Sequence, residues 1–159
     1  MMLAVRRATL DDVDFIHVAH DAAHARAFVH PVPLDAVRAA LEDPARGTFI
    51  LTKDGERAGM LLLAYDPEAP WLVELRRIIV TKQHGGIGTF ALQWLVSRCF
   101  NEIGADRIWL EVVESNTRAR RLYERAGFKH EGTFRDGFRD EDGRYANLCV
   151  YGLLRRDLV

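Results

Sequence analysis

The segment from Gln83 to Gly88 has the residue types of an anion-binding turn. It reads Gln-His-Gly-Gly-Ile-Gly and joins an apolar run that ends at Val80 to an amphipathic helix. A glycine-rich turn that opens a helix leaves several backbone N–H groups without partners at the positive end of the helix dipole. Its glycines also let a ligand approach the backbone closely. The segment therefore favours a phosphate or pyrophosphate site, with a plain strand-to-helix connection as the alternative.

The residues around this turn predict a strand, a helix and a second strand. Residues 75–80 form an apolar, strand-like run, and apolar residues recur at helical spacing over residues 89–103. Gly104 is placed to end that helix, and alternation over residues 107–113 predicts the next strand. This order predicts a right-handed crossover with the glycine turn at the carboxyl end of a strand, where open α/β sheets bind ligands.

Two common phosphate-binding turns do not fit the segment. A Walker loop needs Gly-Lys-Ser/Thr at its end, but Gly88 is followed by Thr89 and Phe90. A dinucleotide-binding fold needs Gly-x-Gly-x-x-Gly and an acidic residue after the next strand, and residues 83–88 do not have that spacing. We exclude both.

A second motif follows the second strand, where Asn116, Tyr123, Gly127 and Phe128 fit Asn-x6-Tyr-x3-Gly-Phe. Together with Gln83-x-x-Gly-x-Gly, it resembles the GCN5-related N-acetyltransferase (GNAT) superfamily. The C-terminal half is similar to the branch that contains ribosomal-protein N-terminal and spermidine acetyltransferases. The resemblance implies an α/β (α+β) fold over residues 1–159. We expect a single GNAT-like domain with a mixed, mostly antiparallel sheet of roughly six to seven strands and about four flanking helices.

This resemblance implies an acetyl-CoA-dependent N-acetyltransferase that acts on a primary amine by direct attack in a ternary complex. The strand before the glycine turn, called the motif strand, would contact the pantetheine arm and thioester through its end, Ile78–Val80. The backbone of the glycine turn would hold the pyrophosphate. Asn116 would contact the cofactor arm or the acceptor, and Tyr123 would protonate the leaving thiolate, which suits a phenol. From the residues alone, Asn116 could instead be the N-cap of its helix, or both cap and contact, and Tyr123 could be an ordinary core tyrosine. The implied acetyl-CoA contacts are Ile78, Ile79, Val80, Gln83, His84, Gly85, Gly86, Ile87, Gly88, Thr89, Asn116 and Tyr123.

The general base is predicted as Glu74, because relatives carry a base glutamate at about that place on the motif strand. Strand alternation puts Glu74, Arg76, Ile78 and Val80 on one face. Glu74 could instead simply pair with Arg76. Glu111 and Glu114 are other candidates, and many relatives use ordered water or no base.

Three histidines recur at helical spacing on the first predicted helix: His17, His20 and His24. Side chains spread over two turns do not converge well on one ion, so we predict no metal site. The resemblance puts this helix beside the acceptor cleft. The histidines could border that cleft, as could His30, with surface placement as the default.

Composition sets further bounds on location and partners. The chain has 159 residues, 48% of them hydrophobic, and a net charge of −1, which indicates no general role at nucleic acid or membrane surfaces. Cys99 lies on an apolar helical stripe and Cys149 in a predicted strand, so both are expected to be buried, reduced thiols. The N-terminus lacks the pattern of a signal peptide. We therefore expect a cytoplasmic protein.

The acceptor stays open between a small-molecule amine and a protein N-terminus. Asp136, Asp140, Glu141 and Asp142 could favour a polyamine, but arginines interleave with them. A homodimer is compatible with the resemblance, and no sequence feature tests it. A catalytically silent acyl-CoA-binding sensor is the main alternative function, and an interaction protein on the same fold is the other.

The remaining elements follow from local patterns. A strand is expected over residues 3–8, followed by a helix that a Thr9 capping box opens and that runs to about residue 27. A short helix is expected over residues 34–41. Asp54-Gly55 predicts a hairpin between residues 48–53 and 57–65. Two strands are expected after Phe128, one to about residue 134 and one over residues 144–154.

Overall fold

The sheet and its helices are seen in a computed structural model that describes residues 1–22, 28–82 and 85–158. The strands are β1 (Leu3–Arg7), β2 (Arg46–Lys53), β3 (Glu56–Ala64), β4 (Leu72–Val80), β5 (Arg107–Val113), β6 (Lys129–Arg139) and β7 (Tyr145–Leu154). The helices are α1 (Val13–Asp21), α2 (Leu34–Glu42), α3 (Ile87–Ser97) and α4 (Thr117–Arg125). A wider π-helical stretch, Arg98–Ile103, continues α3 as far as Gly104, whose φ is +87°.

Within the described ranges, seven strands form one sheet in the order β1-β2-β3-β4-β5-β7-β6. Every neighbouring pair is antiparallel except β4 and β5, which are parallel and joined through α3. This confirms the mixed, mostly antiparallel sheet and the strand–helix–strand crossover. No helix in the described ranges is long and apolar enough to cross a membrane.

The two faces of the sheet are covered by different helices. On one face, α3 and α4 pack through buried residues such as Leu92, Leu95 and Tyr123. On the other, α1 and α2 pack through Ile16 and Val37, which meet buried side chains of β2, β3 and β4. Residues on opposite faces of β4 therefore contact different helices, and this divides the candidate site into two sides.

Several local predictions are confirmed. Asp54 and Gly55 have φ of 51° and 82° and turn the chain between β2 and β3. Thr9 forms the predicted capping box with Asp12, through a short 3₁₀ turn that precedes α1. The expected continuous helix to residue 27 is wrong, because Ala22 leaves helical geometry with ψ 139°. Residues 23–27 lie outside the described part of the chain.

Both cysteines lie in the interior, as expected. Cys99 and Cys149 are fully buried free thiols. Burial raises the pKa of the Cys99 thiol to about 12, so this side chain is inert at neutral pH.

Asp12 connects the start of α1 to two strands. Its carboxylate is fully buried and accepts hydrogen bonds from the Arg6 guanidinium at 2.8 Å and from Arg57 Nε at 2.8 Å. It also accepts the backbone N–H of Thr9. The hydrogen bonds to Arg6, to Thr9 and to Arg57 outweigh burial and lower the pKa of Asp12 well below its ordinary value.

We expect Asp12→Asn to lower the free energy of unfolding by about 2 kcal/mol at pH 7, because the amide has no charge and only one acceptor oxygen for Arg6 and Arg57. A depressed pKa contributes stability above the pKa of the unfolded aspartate, about 3.9, and that stability is lost as the pH falls below it. The difference between wild type and variant should therefore shrink below about pH 4. Urea unfolding at several pH values measures it. Asp11→Asn, at an exposed neighbour, is the matched control.

Candidate active site

The sheet opens between its two parallel strands. β4 and β5 pair only from Leu72–Arg107 to Glu74–Trp109, although β4 continues to Val80 and β5 to Val113. Beyond the last pair the strands separate, and a cleft of about 1220 Å³ lies at the opening. The first turn of α3, the length of α4, residues 28–30 and part of β6 complete its walls.

A bulge in β4 changes which side chains face each side of this opening. Leu62 of β3 lies opposite Arg77, but its neighbour Leu63 lies opposite Leu75. Arg76 is therefore the extra residue, and the alternation of faces shifts there by one position.

The bulge separates residues that the sequence put on one face. Ile78 and Val80 pack against the core under α3 and α4, while Ile79 belongs to the core under α1 and α2. Glu74 precedes the bulge, on the α1/α2 face together with Ile79 and Arg77. The prediction that Glu74 shares a face with Ile78 and Val80 is wrong, because strand alternation does not hold across a bulge.

The glycine turn opens α3 as the sequence predicts. Gly86 is the N-cap with φ 72°, and the first backbone bond runs from Phe90 N to Gly86 O at 3.0 Å. The N–H groups of Ile87, Gly88 and Thr89 thus precede the first helical bond and have no helical acceptor. Gly86, Ile87, Gly88 and Thr89 all line the cleft, and a Cβ placed on Gly86 meets nothing within 4 Å. This end of the cleft fits a pyrophosphate.

The other predicted turn residues have different outcomes. Gln83 and His84 lie outside the described residues. Gly85 has φ 93°, and it is not among the residues that line the cleft. Gly88 lines the cleft and permits close packing of α3 on α4, since a Cβ there would lie 3.0 Å from the Leu122 side chain.

Helix α4 brings Asn116 and Tyr123 to the cleft. The Asn116 side chain caps the helix by accepting the N–H of Ala119 at 3.2 Å. Tyr123 is 5% exposed, and its ring packs near those of Phe128 and Tyr151, with centroids 6.1 and 6.3 Å away. Burial raises the pKa of the Tyr123 hydroxyl, so the phenol stays protonated at neutral pH. It is available as a proton donor.

The acidic side chains of the cleft differ in their partners. Glu74 is paired with Arg76 at 3.0 Å, which is the alternative that the sequence left open. Glu111 has no ion-pair partner among the described residues. Partial desolvation and the nearby Glu74 raise the pKa of Glu111. Glu114, also a sequence candidate, does not line the cleft.

Sequence reasoning missed a basic face on α4. Arg118, Arg121 and Arg125 all line the cleft, and their spacing of three and four residues places them on one side of the helix. The spacing of these arginines is visible in the sequence, but a net charge near zero gives no sign that basic residues cluster on one helix. His30 stacks on Phe138 with ring centroids 4.7 Å apart, and both rings line the cleft.

The histidines of α1 have separate environments. His20 is 3% exposed, so surface placement is wrong for it, and its Nδ1 donates to the carbonyl of Ile16 at 2.9 Å. Burial lowers the pKa of His20, which favours the neutral ring. His17 is half-buried, and His24 lies outside the described residues. Across residues 1–22, 28–82 and 85–158, no group of three His, Cys, Asp or Glu side chains could hold a metal ion.

Comparison with known proteins identifies the class. Residues 14–128 match the acetyltransferase (GNAT) family. An uncharacterized N-acetyltransferase of Mycobacterium tuberculosis is 34% identical over 105 residues, which cover 64% of this chain and 66% of that protein. The chain therefore belongs to the GNAT acetyltransferase family, whose enzymes use acetyl-CoA as the acetyl donor.

Solved structures agree on the fold. The spermidine N-acetyltransferase of Vibrio cholerae, crystallised with CoA and spermine, superimposes with a TM-score of 0.86 at 22% identity, covering 98% of this chain and 96% of that one. The ribosomal-protein-S18-alanine N-acetyltransferase of Escherichia coli gives 0.81 at 23% identity, covering 96% and 94%. The two neighbours are named for different acceptors, so the fold alone does not identify the acceptor of this chain.

Proposed function

We propose that this chain transfers the acetyl group of acetyl-CoA to a primary amine by direct attack in a ternary complex. The observation that carries the proposal is the opening between β4 and β5 beyond Glu74. One cleft there combines the strand segment Ile78–Val80, the free N–H groups of α3 and the phenol of Tyr123. Bound acetyl-CoA would supply a thioester carbonyl and a thiolate leaving group.

The cleft offers donors of two kinds to a bound cofactor. The N–H groups of Ile87, Gly88 and Thr89, together with the dipole of α3, would hold the pyrophosphate. Arg118, Arg121 and Arg125 would add positive charge along α4. The side-chain oxygen of Asn116 accepts the capping hydrogen bond, so its amide N–H₂ group can donate to a ligand.

At the reacting end, Tyr123 would donate its hydroxyl proton to the departing sulfur. Its packing between two aromatic rings fixes the direction of the phenol, and its raised pKa keeps the proton in place until it is needed. A carboxylate on the opposite face of β4 would accept the proton that the amine loses. Glu74 and Glu111 are the candidates on that face, and a water molecule could relay the proton to either.

We expect Glu111→Gln to lower kcat/KM by about 10²-fold and Glu74→Gln to lower it less, because Glu111 has no ion-pair partner and Glu74 is paired with Arg76. A base with a raised pKa is active above that pKa, so wild-type kcat/KM should fall as the pH drops through it. Glu111→Gln should flatten this acidic limb. Profiles of kcat/KM from pH 5 to 9 measure both effects. If the two variants keep wild-type profiles, neither carboxylate is the base.

The test of the proposed function is calorimetric titration with acetyl-CoA, followed by a panel of amines with detection of free thiol. Micromolar binding with thiol release on one class of amine supports the enzyme. Binding without release on any amine would favour the acyl-CoA sensor. No binding would refute the proposed site.

We also expect the 159 residues to form one domain. Two buried free thiols are consistent with a cytoplasmic location. The edge strand β6 is largely exposed and could pair with a second copy. Sedimentation of the purified protein would distinguish a homodimer from a monomer or a larger assembly.

A further inference from the structure

A small second cavity lies under α1 and α2, against the same face of the sheet that carries Glu74. Its volume is about 210 Å³. Most of its walls are apolar, including Ile16, Val37 and Leu62, and no carboxylate is among its lining residues. Its charged lining residues are arginines: Arg46, Arg76 and Arg77.

Two polar side chains in this cavity lack hydrogen-bond partners. Thr48 is 6% exposed, and its hydroxyl has no partner among the described residues. Arg77 donates from one terminal nitrogen to the carbonyl of Arg76 at 2.7 Å, but its Nε is buried and unpaired. A third such atom in the described chain is Nε of Arg98, which does not line the cavity. Leaving such groups unpaired is costly, which indicates that something else satisfies them.

The sheet register explains why these two groups face the same space. Thr48 of β2 lies opposite Leu62 of β3, and Leu62 lies opposite Arg77 of β4. The three residues therefore form a row across the sheet on one face, with the apolar Leu62 in the middle. The bulge at Arg76 places Arg77 on this face.

The cavity also adjoins the main cleft, because Arg76 and Arg77 line both. On the cleft side, Glu74 is already paired with Arg76, and Arg77 has no carboxylate partner among the described residues. Burial and the neighbouring Arg76 lower the pKa of Arg77, and they outweigh the opposite effect of Glu74 and Glu111. A guanidinium that is mostly buried, with a buried unpaired Nε and no carboxylate partner among the described residues, is suited to an anionic partner.

We propose that the acceptor is a zwitterion, an amine that also bears a carboxylate, and that Arg77 and Thr48 bind this carboxylate. This rests on the proposed acetyltransferase function and names its substrate class. The amine would lie near Glu74 and Glu111 on the same face of the sheet. A polyamine would bring only positive charge to Arg77 and would be disfavoured.

The experiment uses matched acceptors: leucine, leucinamide and 3-methylbutylamine, with glutamate, an alanine-initiated peptide and spermidine in the same panel. Calorimetry of each compound on the CoA-saturated protein measures binding without turnover, and thiol release from acetyl-CoA measures turnover. We expect an amino acid to bind and react at least about tenfold better than its amide or its decarboxylated amine, from one charge-assisted hydrogen-bond pair.

Two variants test the residues, with one matched control. The measured quantity is the preference for leucine over leucinamide, in binding and in turnover. Arg77→Met should bring this ratio of acid to amide close to one, and Thr48→Val should reduce it without removing a charge. Arg98→Met makes the same change at another arginine with a buried Nε, outside the cavity, and should leave the ratio unchanged. Acetyl-CoA affinity should hold in all three.

The outcomes separate this inference from the proposed function. Equal or better binding of the amide, the peptide or spermidine would overturn the zwitterion assignment while leaving the acetyltransferase intact. An unchanged ratio in both Arg77→Met and Thr48→Val would overturn it as well, since ordered water would then satisfy these groups. If neither leucine nor glutamate binds to the CoA-saturated protein, the zwitterion assignment is also overturned. Failure to bind acetyl-CoA at all would instead refute the proposed function.

Discussion

Replacing Tyr123 by phenylalanine will lower kcat by about 10²-fold or more, while the Kd for acetyl-CoA stays within about threefold. The hydroxyl has no hydrogen-bond partner among the described residues, and the ring supplies the packing against Phe128 and Tyr151. The variant should therefore fold normally and lose only the proton donor. Calorimetry with acetyl-CoA and steady-state thiol release, on the same preparation, separate affinity from turnover.

Tyr151→Phe is the matched control, because it removes a hydroxyl from the neighbouring ring. Tyr151 donates to a Glu124 carboxylate oxygen at 2.7 Å and accepts from Arg120 Nε at 3.0 Å. That variant should lose about 1 kcal/mol of stability and keep most of its turnover. If Tyr123→Phe loses affinity and turnover equally, or if both variants lose turnover equally, Tyr123 is not the acid.

The parts of the site that follow from local patterns were predictable from the sequence. The glycine turn places Gly86 as the N-cap of α3, and Asn116 caps α4, because both depend on a few consecutive residues. The bounds of β5 agree with the predicted strand for the same reason. Tyr123 reaches the cleft because helical spacing fixes its direction once Asn116 starts the helix.

The division of the cleft into two sides could not be predicted. It depends on the bulge at Arg76, which arises from how β3 and β4 pair over the whole of their length. Alternation along a single strand contains no signal for an extra residue. As a result, the sequence put Glu74 on the same face as Ile78, and gave no reason to single out Arg77.

Contacts between distant segments were equally hidden. The stack of His30 on Phe138 joins residues separated by more than half of the chain, and β6 extends to Arg139, beyond the predicted end near residue 134. The buried hydroxyl of Thr48 directly precedes the apolar run Phe49–Leu51, where it looks like an ordinary β-branched strand residue. Only the register across three strands shows that it and Arg77 face one cavity.

Gly86→Glu should abolish measurable acetyl-CoA binding while the protein stays folded. A Cβ at this position meets nothing within 4 Å, so the backbone strain at φ 72° is the main cost to folding, about 1–2 kcal/mol. The new carboxylate would lie at the N-terminus of α3, where it would compete for the free N–H groups and repel a pyrophosphate. Calorimetry should show no heat of binding up to the highest soluble acetyl-CoA concentration.

Gly104→Glu is the matched control, because Gly104 ends the same helical segment with φ 87° and also has open space at its Cβ position. The Gly104→Glu variant has similar backbone strain and the same added charge, but outside the cleft, so it should retain acetyl-CoA binding.

Gly86→Ala separates strain from charge, since it introduces the backbone strain without the carboxylate and should weaken binding much less. Normal affinity in folded Gly86→Glu would mean that the pyrophosphate does not bind at the start of α3. Loss of affinity in Gly104→Glu as well would mean that a glutamate weakens binding without lying near the start of α3, and Gly86→Glu would then not support the pyrophosphate assignment.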